Sequence, residues 1–92
     1  MKAVELNNNE FYHDGKVVHN LDMPNGKHIR FRAEDKDYNL TVTDPDGNNS
    51  QFPVPKDGDH HDYKIKGKKD QQYTFSLEDP DGVVPQMIVK VS

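Results

Sequence analysis

Tyr38-Asn-Leu-Thr-Val-Thr-Asp-Pro-Asp-Gly47 and Tyr73-Thr-Phe-Ser-Leu-Glu-Asp-Pro-Asp-Gly82 decide how this chain is read. The two stretches match at an offset of 35, with five of ten positions identical and three more conservative. In each, apolar side chains alternate with polar ones and then meet an Asp-Pro-Asp-Gly turn. Alternation with period two puts one face of a strand in a core and the other in water. Proline presets φ at the second turn position, and the glycine allows the chain to leave the turn tightly. Each copy is therefore a strand running into a corner, used twice. A duplication and the pseudo-symmetry of a sandwich both explain the match.

The same grammar extends over the rest of the sequence. Val4 and Leu6 share a face, as do Ile29, Phe31 and Ala33, Tyr63 and Ile65, and Met87, Val89 and Val91. Turn signals fall at Asp14-Gly15, Asn25-Gly26, Asp57-Gly58 and Gly67, so a turn comes about every ten residues, the rhythm of a sandwich or barrel. No 3.6-residue stripe is present. Asp outnumbers Glu 12 to 4 and there are two alanines, a balance that favours turns over helix interiors. The sequence predicts one all-β domain over residues 1–92: a single antiparallel β-sandwich of seven to eight strands. Phe31, Leu40, Val42, Tyr63, Phe75, Leu77 and Val89 are its expected core. Phe52-Pro-Val-Pro55 reads as an edge segment, because proline cannot donate to a ladder. With 92 residues, 32% of them hydrophobic, a helical bundle, a membrane span and a large enzyme cleft are excluded.

The order of these pieces resembles the cupredoxin fold of the small blue copper proteins. Asn25-Gly-Lys-His-Ile-Arg-Phe31, Asp37-Tyr-Asn-Leu-Thr-Val42 and Tyr73-Thr-Phe-Ser-Leu77 look like three of its strands. Asp79 to Gln86 sits where the ligand loop would lie, and Met87 to Val91 looks like the closing strand. The resemblance covers roughly residues 11 to 91. An immunoglobulin-like sandwich is the alternative that the same pattern allows. What the resemblance implies about copper fails at the ligands. Its first histidine would fall near Tyr38 or Asn39, its cysteine on Leu77, its second histidine near Pro80 or Asp81, and its methionine between Val84 and Met87. A blue copper centre needs two imidazoles and a thiolate, with a weak axial ligand. The expectation is therefore a copper-free scaffold with no cofactor.

Other chemistry is thinly represented. The chain has no cysteine, which removes disulfides and thiolate ligands. His60 and His61 are adjacent, so in a strand they point to opposite faces and cannot chelate together. A two-residue turn at Asp14-Gly15 would pair His13 with Lys16 and Glu10 with His19, separating those histidines. A metal site built from His and Asp elsewhere is the runner-up reading. The Asp-Pro-Asp-Gly loops lack the bidentate Glu of an EF-hand calcium loop, since the twelfth position from Asp44 is Pro55; they could share an ion only if both lay at one end of the sandwich. Ser50, Ser76 and Ser92 sit in no nucleophile elbow, and no enzyme is expected.

Binding remains. His28, Arg30 and Arg32 line the outward face of one strand, a basic stripe for an acidic partner or a face that pairs with neighbouring acids. Val83 and Val84 place apolar side chains beside a turn, a small contact patch if exposed. The Lys-rich stretch Lys64–Lys69 reads as a solvated strand end. A net charge of −4 argues against a nucleic-acid partner. The expected protein is a monomeric, non-catalytic binding or accessory module, or a structural unit of a larger surface protein, with a protein as the expected partner class. No leader is visible from Met1 to Glu5, so a secreted protein would be present here in processed form.

Overall fold

The computed structural model describes residues 1–78 and 84–92. Ten strands follow one another: β1 (Lys2–Asn7), β2 (Glu10–His13), β3 (Lys16–Val17), β4 (Asn20–Met23), β5 (His28–Ala33), β6 (Tyr38–Thr43), β7 (Asn49–Val54), β8 (His61–Lys64), β9 (Gln72–Leu77) and β10 (Gln86–Val91). They form two five-stranded sheets, in the orders β3-β2-β1-β5-β8 and β4-β10-β9-β6-β7. The all-β sandwich expected from the alternation is present, and no helix interrupts the described residues.

Local chemistry explains the turns. Asn8 and Asn9 join β1 to β2 with φ of 50° and 57°, and Asp14 and Gly15 join β2 to β3 with φ of 54° and 79°. Two consecutive left-handed residues are what a tight hairpin of matching twist requires, and Asn, Asp and Gly tolerate them best. The second turn gives the expected pair His13↔Lys16. The expected pair of Glu10 with His19 does not form in the ladder, which ends at Val17. The Val18 amide still donates to the Phe11 carbonyl, whereas the His19 carbonyl accepts from Ile88. The chain thus changes sheets between these two residues.

Two further expectations are corrected. Among the described residues the strands number ten rather than seven to eight: β3 is two exposed residues with no alternation, and β4 alternates over only Leu21 and Met23. The sandwich is also not wholly antiparallel. β1 runs parallel to β5, from Lys2↔Ile29 to Leu6↔Ala33, and β4 runs parallel to β10. Period-two alternation reports that one face is wet. It carries no information about the direction of the neighbouring strand, so parallel pairs in a sandwich look the same in sequence.

Six of the seven expected core residues are sealed from solvent, and among the described residues no polar or charged residue is buried. Tyr63 is the exception, half-buried against the core. It belongs to β8, an outer strand, and its ring meets Tyr73 and Phe75 edge-on at 5.8 and 5.3 Å. Ile65 takes the sealed position instead. Phe31 and Phe75 touch across the sheets at 5.1 Å between ring centres. Along one side of the sandwich, Phe52 of β7 stacks on His61 of β8 at 3.7 Å, so the outer strands of the two sheets are joined by ring contact. β7 lies at a sheet edge, as Pro53 requires.

Truncating Phe75 to Ala removes the ring that Phe31 and Tyr63 pack against, and chemical denaturation is expected to show a loss of about 3–5 kcal/mol. Burial against Phe52 pushes the His61 imidazole below its ordinary value of 6.5, opposed in part by the Asp62 carboxylate. The unfolded chain then takes up this proton more readily than the folded one. Stability from His61 is full above 6.5 and declines as the pH falls below it. A pH series of denaturation midpoints is expected to show this slope, and His61→Phe to flatten it.

Candidate functional site

The strands end in two clusters of turns, and each candidate residue belongs to one of them or to the sheet between. At one end, β1 hands over to β2, β5 to β6, β7 to β8, and β9 reaches Leu77. This is where the resemblance would put a metal. It is instead organised by Tyr38, buried at the start of β6. The Tyr38 hydroxyl donates to Asp35 Oδ1 at 2.6 Å and accepts from the Asn9 amide at 3.1 Å. The other carboxylate oxygen of Asp35 accepts from the Asn8 amide at 3.1 Å. Both donors lie in the left-handed β1–β2 turn, so one hydroxyl and one carboxylate fasten that turn to the β5–β6 turn. Burial, followed by the bond to Asp35, pushes the Tyr38 hydroxyl up to about 12. The same bond holds the Asp35 carboxyl below its ordinary range. The alternation placed Tyr38 inward, as it is, but gave its hydroxyl no role; the Asp35-x-x-Tyr38 spacing was the available signal.

Leu77 closes β9 with no exposed surface, opposite Leu40 in the register. Beside this end, Arg32, Glu34, Lys56, Asp57, Asp59 and His60 line an open cavity of about 360 Å³ with mixed charge. Val84 is half exposed, 50% of its surface being open to solvent. Val83 lies outside the described residues.

The basic stripe on β5 is unequal along its length. Arg30 forms a two-pronged pair with Asp62 of β8, Nε to Oδ1 at 2.9 Å and Nη2 to Oδ2 at 3.1 Å, which holds the Asp62 carboxyl low and the guanidinium high. The pair spans neighbouring strands in register. Arg30 is therefore engaged inside the molecule. His28 is half-buried opposite Lys64, while Arg32 is exposed beside Glu5 of β1. His60 lies 3.7 Å from Asp62, and His13 Nδ1 lies 2.9 Å from the Ala3 carbonyl. Among the described residues, no three His, Asp or Glu side chains converge as a metal would require.

β6 and β9 are antiparallel neighbours, so Thr43 and Leu77, their last residues, lie at opposite ends of the sandwich. In the first Asp-Pro-Asp-Gly copy, Asp44 Oδ1 accepts from the amides of Asp46 and Asn48, which spends that oxygen on the turn itself. The second copy, from Asp79 to Gly82, lies outside the described residues.

No protein-family model matches this chain, and no curated protein matches it. Solved structures do. A purple cupredoxin from Nitrosopumilus maritimus superposes with a TM-score of 0.65 at 19% identity, covering 100% of both chains. A chain from a heme-copper terminal oxidase dimer superposes with a TM-score of 0.56 at 19% identity, covering 99% of this chain and 60% of that one. The fold is cupredoxin-like, and at this identity the likeness speaks for the fold alone. The residues present do not fit that fold's copper: the chain has no cysteine, and of the positions the resemblance assigned, Leu77 is sealed and Tyr38 and Asn39 offer no imidazole. The positions matching the second imidazole, Pro80 and Asp81, lie outside the described residues, and neither is a histidine.

In an alkaline ultraviolet titration, Tyr38 is expected to ionise only near pH 12, and Asp35→Asn to bring it partway down. Because its folded value exceeds the ordinary 10.0, the associated stability is intact below that pH and is lost as pH rises toward 12. Tyr38→Phe leaves the Asn9 amide without its partner and is expected to cost about 1–3 kcal/mol in denaturation.

Proposed function

We propose that the chain is a non-catalytic binding or accessory module that keeps the cupredoxin-like sandwich without its electron-transfer chemistry. The observation that carries this reading is Leu77. Its side chain is sealed at the tip of β9, packed in the core cluster rather than facing an open coordination sphere. Aliphatic carbon offers no lone pair to copper, and a sealed position leaves no room for another ligand to enter. Tyr38 supports the same reading, since its oxygen already has a donor and an acceptor.

With no three metal-binding side chains converging among the described residues, recognition falls to the surface around the strand ends. The open cavity beside Arg32 offers a contact region of mixed charge, and Val84 adds an exposed apolar side chain before β10. A protein partner suits it better than a small molecule, because the cavity is wide, polar and lacks an apolar lining. Arg32 is the cation of the β5 stripe suited to such contact, as Arg30 is committed to Asp62.

The test is copper itself. The purified chain, mixed with one equivalent of copper and passed over a desalting column, is expected to retain none by elemental analysis and to show no thiolate-type visible absorption. Retention of one equivalent would overturn the reading.

A further inference from the structure

The opposite end of the sandwich carries a different charge. The turn before β5, the segment after β8 and the end of β10 meet there. The Gly26 amide donates to the Ile65 carbonyl, Ile65 to Lys27, the Gly67 amide to Asn25 Oδ1, and Asp70 to Val91. These bonds bring Lys27, from one part of the chain, beside Lys64, Lys66, Lys68 and Lys69 from another. All five are exposed, and among the described residues none has a carboxylate within ion-pair distance. Two more lysines at this end are occupied: Lys90 faces Asp70 at 3.5 Å, and Lys2 donates to the Asp22 carbonyl. With Lys16 beside the Asp14-Gly15 turn, eight lysines stand here against Asp14, Asp22, Asp44, Asp46 and Asp70, an excess of three. The Tyr38 end has the reverse excess. Glu10, Glu34, Asp35, Asp37, Asp57, Asp59 and Glu78 lie there, among the described residues, against Arg32, Lys36 and Lys56.

A net charge of −4 hides this separation. Strands of six residues hold the two ends about 20 Å apart. The screening length in physiological salt is about 8 Å, so the acidic end cannot cancel the field of the basic one. What faces the basic end feels only lysines and their few aspartates.

The kind of anion follows from what is missing. The backbone amides of the Lys66–Lys68 segment already donate to Tyr73 Oη, Asn25 Oδ1 and Gln71 Oε1, so they form no cradle for a single phosphate. Both arginines lie on β5, away from this end. The Tyr73 hydroxyl is spent on the Lys66 backbone, and its ring is buried. Protein interfaces are depleted in lysine and anchored by arginine and aromatic rings. A set of lysines without either suits a broad, planar field of negative charge that asks for no fitted geometry. We propose that this end docks upright on an anionic lipid bilayer, through Lys27, Lys64, Lys66, Lys68 and Lys69. The proposal does not depend on whether the other end binds copper.

The full chain is to be co-sedimented with vesicles of phosphatidylcholine containing ~30% phosphatidylserine, and with phosphatidylcholine alone. Binding is expected only to the first, and to disappear in about 0.5 M salt. At about 1 kcal/mol per lysine near such a surface, K66Q/K68Q/K69Q is expected to bind about a hundredfold more weakly. The control K36Q/K56Q, at the Tyr38 end, is expected to bind as the parent does, with circular dichroism showing both variants folded. Equal binding to both vesicles, or a triple variant that binds undiminished, overturns the proposal. Salt-sensitive binding to polyglutamate or duplex DNA without binding to phosphatidylserine vesicles overturns it in favour of a protein or nucleic-acid partner.

Discussion

The apolar seal of the interior governs everything else in this molecule. A chain that is 30% charged closes a core in which, among the described residues, no polar or charged residue is buried. β1, β4, β5, β6, β9 and β10 each bury two or three side chains, and the aliphatic ones interlock around Phe31, Phe75 and Tyr73. A buried polar group without partners would cost several times what one inward methylene contributes, so a thin core tolerates no gap in its lining. Leu77 is one stone of that lining. Exchanging it for a metal ligand would require a polar opening where the core has little apolar surface to spare.

The same seal sends the charges outward, and strand topology then sorts them. Inward positions alternate with outward ones along each strand, but the turns are free of the alternation and collect the remaining polar residues. Because a sandwich has two ends, turns are distributed between them by strand direction. β6 and β9 show the consequence: two strands of like alternation that pair antiparallel end at opposite ends, Thr43 at one and Leu77 at the other. On the sheet faces, register decides which charges are neutralised. Arg30 finds Asp62 because β5 and β8 align them directly, whereas Arg32, one pleat further on, meets His60 and Glu34 across an open cavity.

What could be read from the sequence was what is local. The alternation of Tyr38–Thr43 and Gln72–Leu77 and the Asp14-Gly15 hairpin act over a few residues, and the structure has them as read. The direction of pairing was not legible. β4 pairs parallel to β10 only because the chain changes sheets between Val18 and His19, a choice that no residue of Asn20–Met23 encodes. The Tyr38 tether was hidden for a similar reason. Its carboxylate is three residues away, but its amide donor comes from a turn 29 residues earlier, brought near by the parallel pairing of β1 with β5. Tyr63 was placed too deep because alternation does not distinguish a central strand from an outer one.

The lysines show why a local reading also understates function. Lys64–Lys69 taken alone is a solvated strand end, and each of its side chains is individually unremarkable. Lys27 joins them only through hydrogen bonds between the turn before β5 and the segment after β8. Once joined, their repulsion is a cost that the fold sustains, among the described residues, with no carboxylate within ion-pair distance of any of the five. A surface counter-charge would relieve that cost most when it is broad and flat, since point-like ammonium groups on flexible stems respond to potential rather than to shape. The polarity of the sandwich then has a geometric meaning. A molecule that stands on its basic end holds Arg32, Val84 and the tethered Tyr38 turn at the far side of strands about 20 Å long, where a partner arriving from solution would meet them.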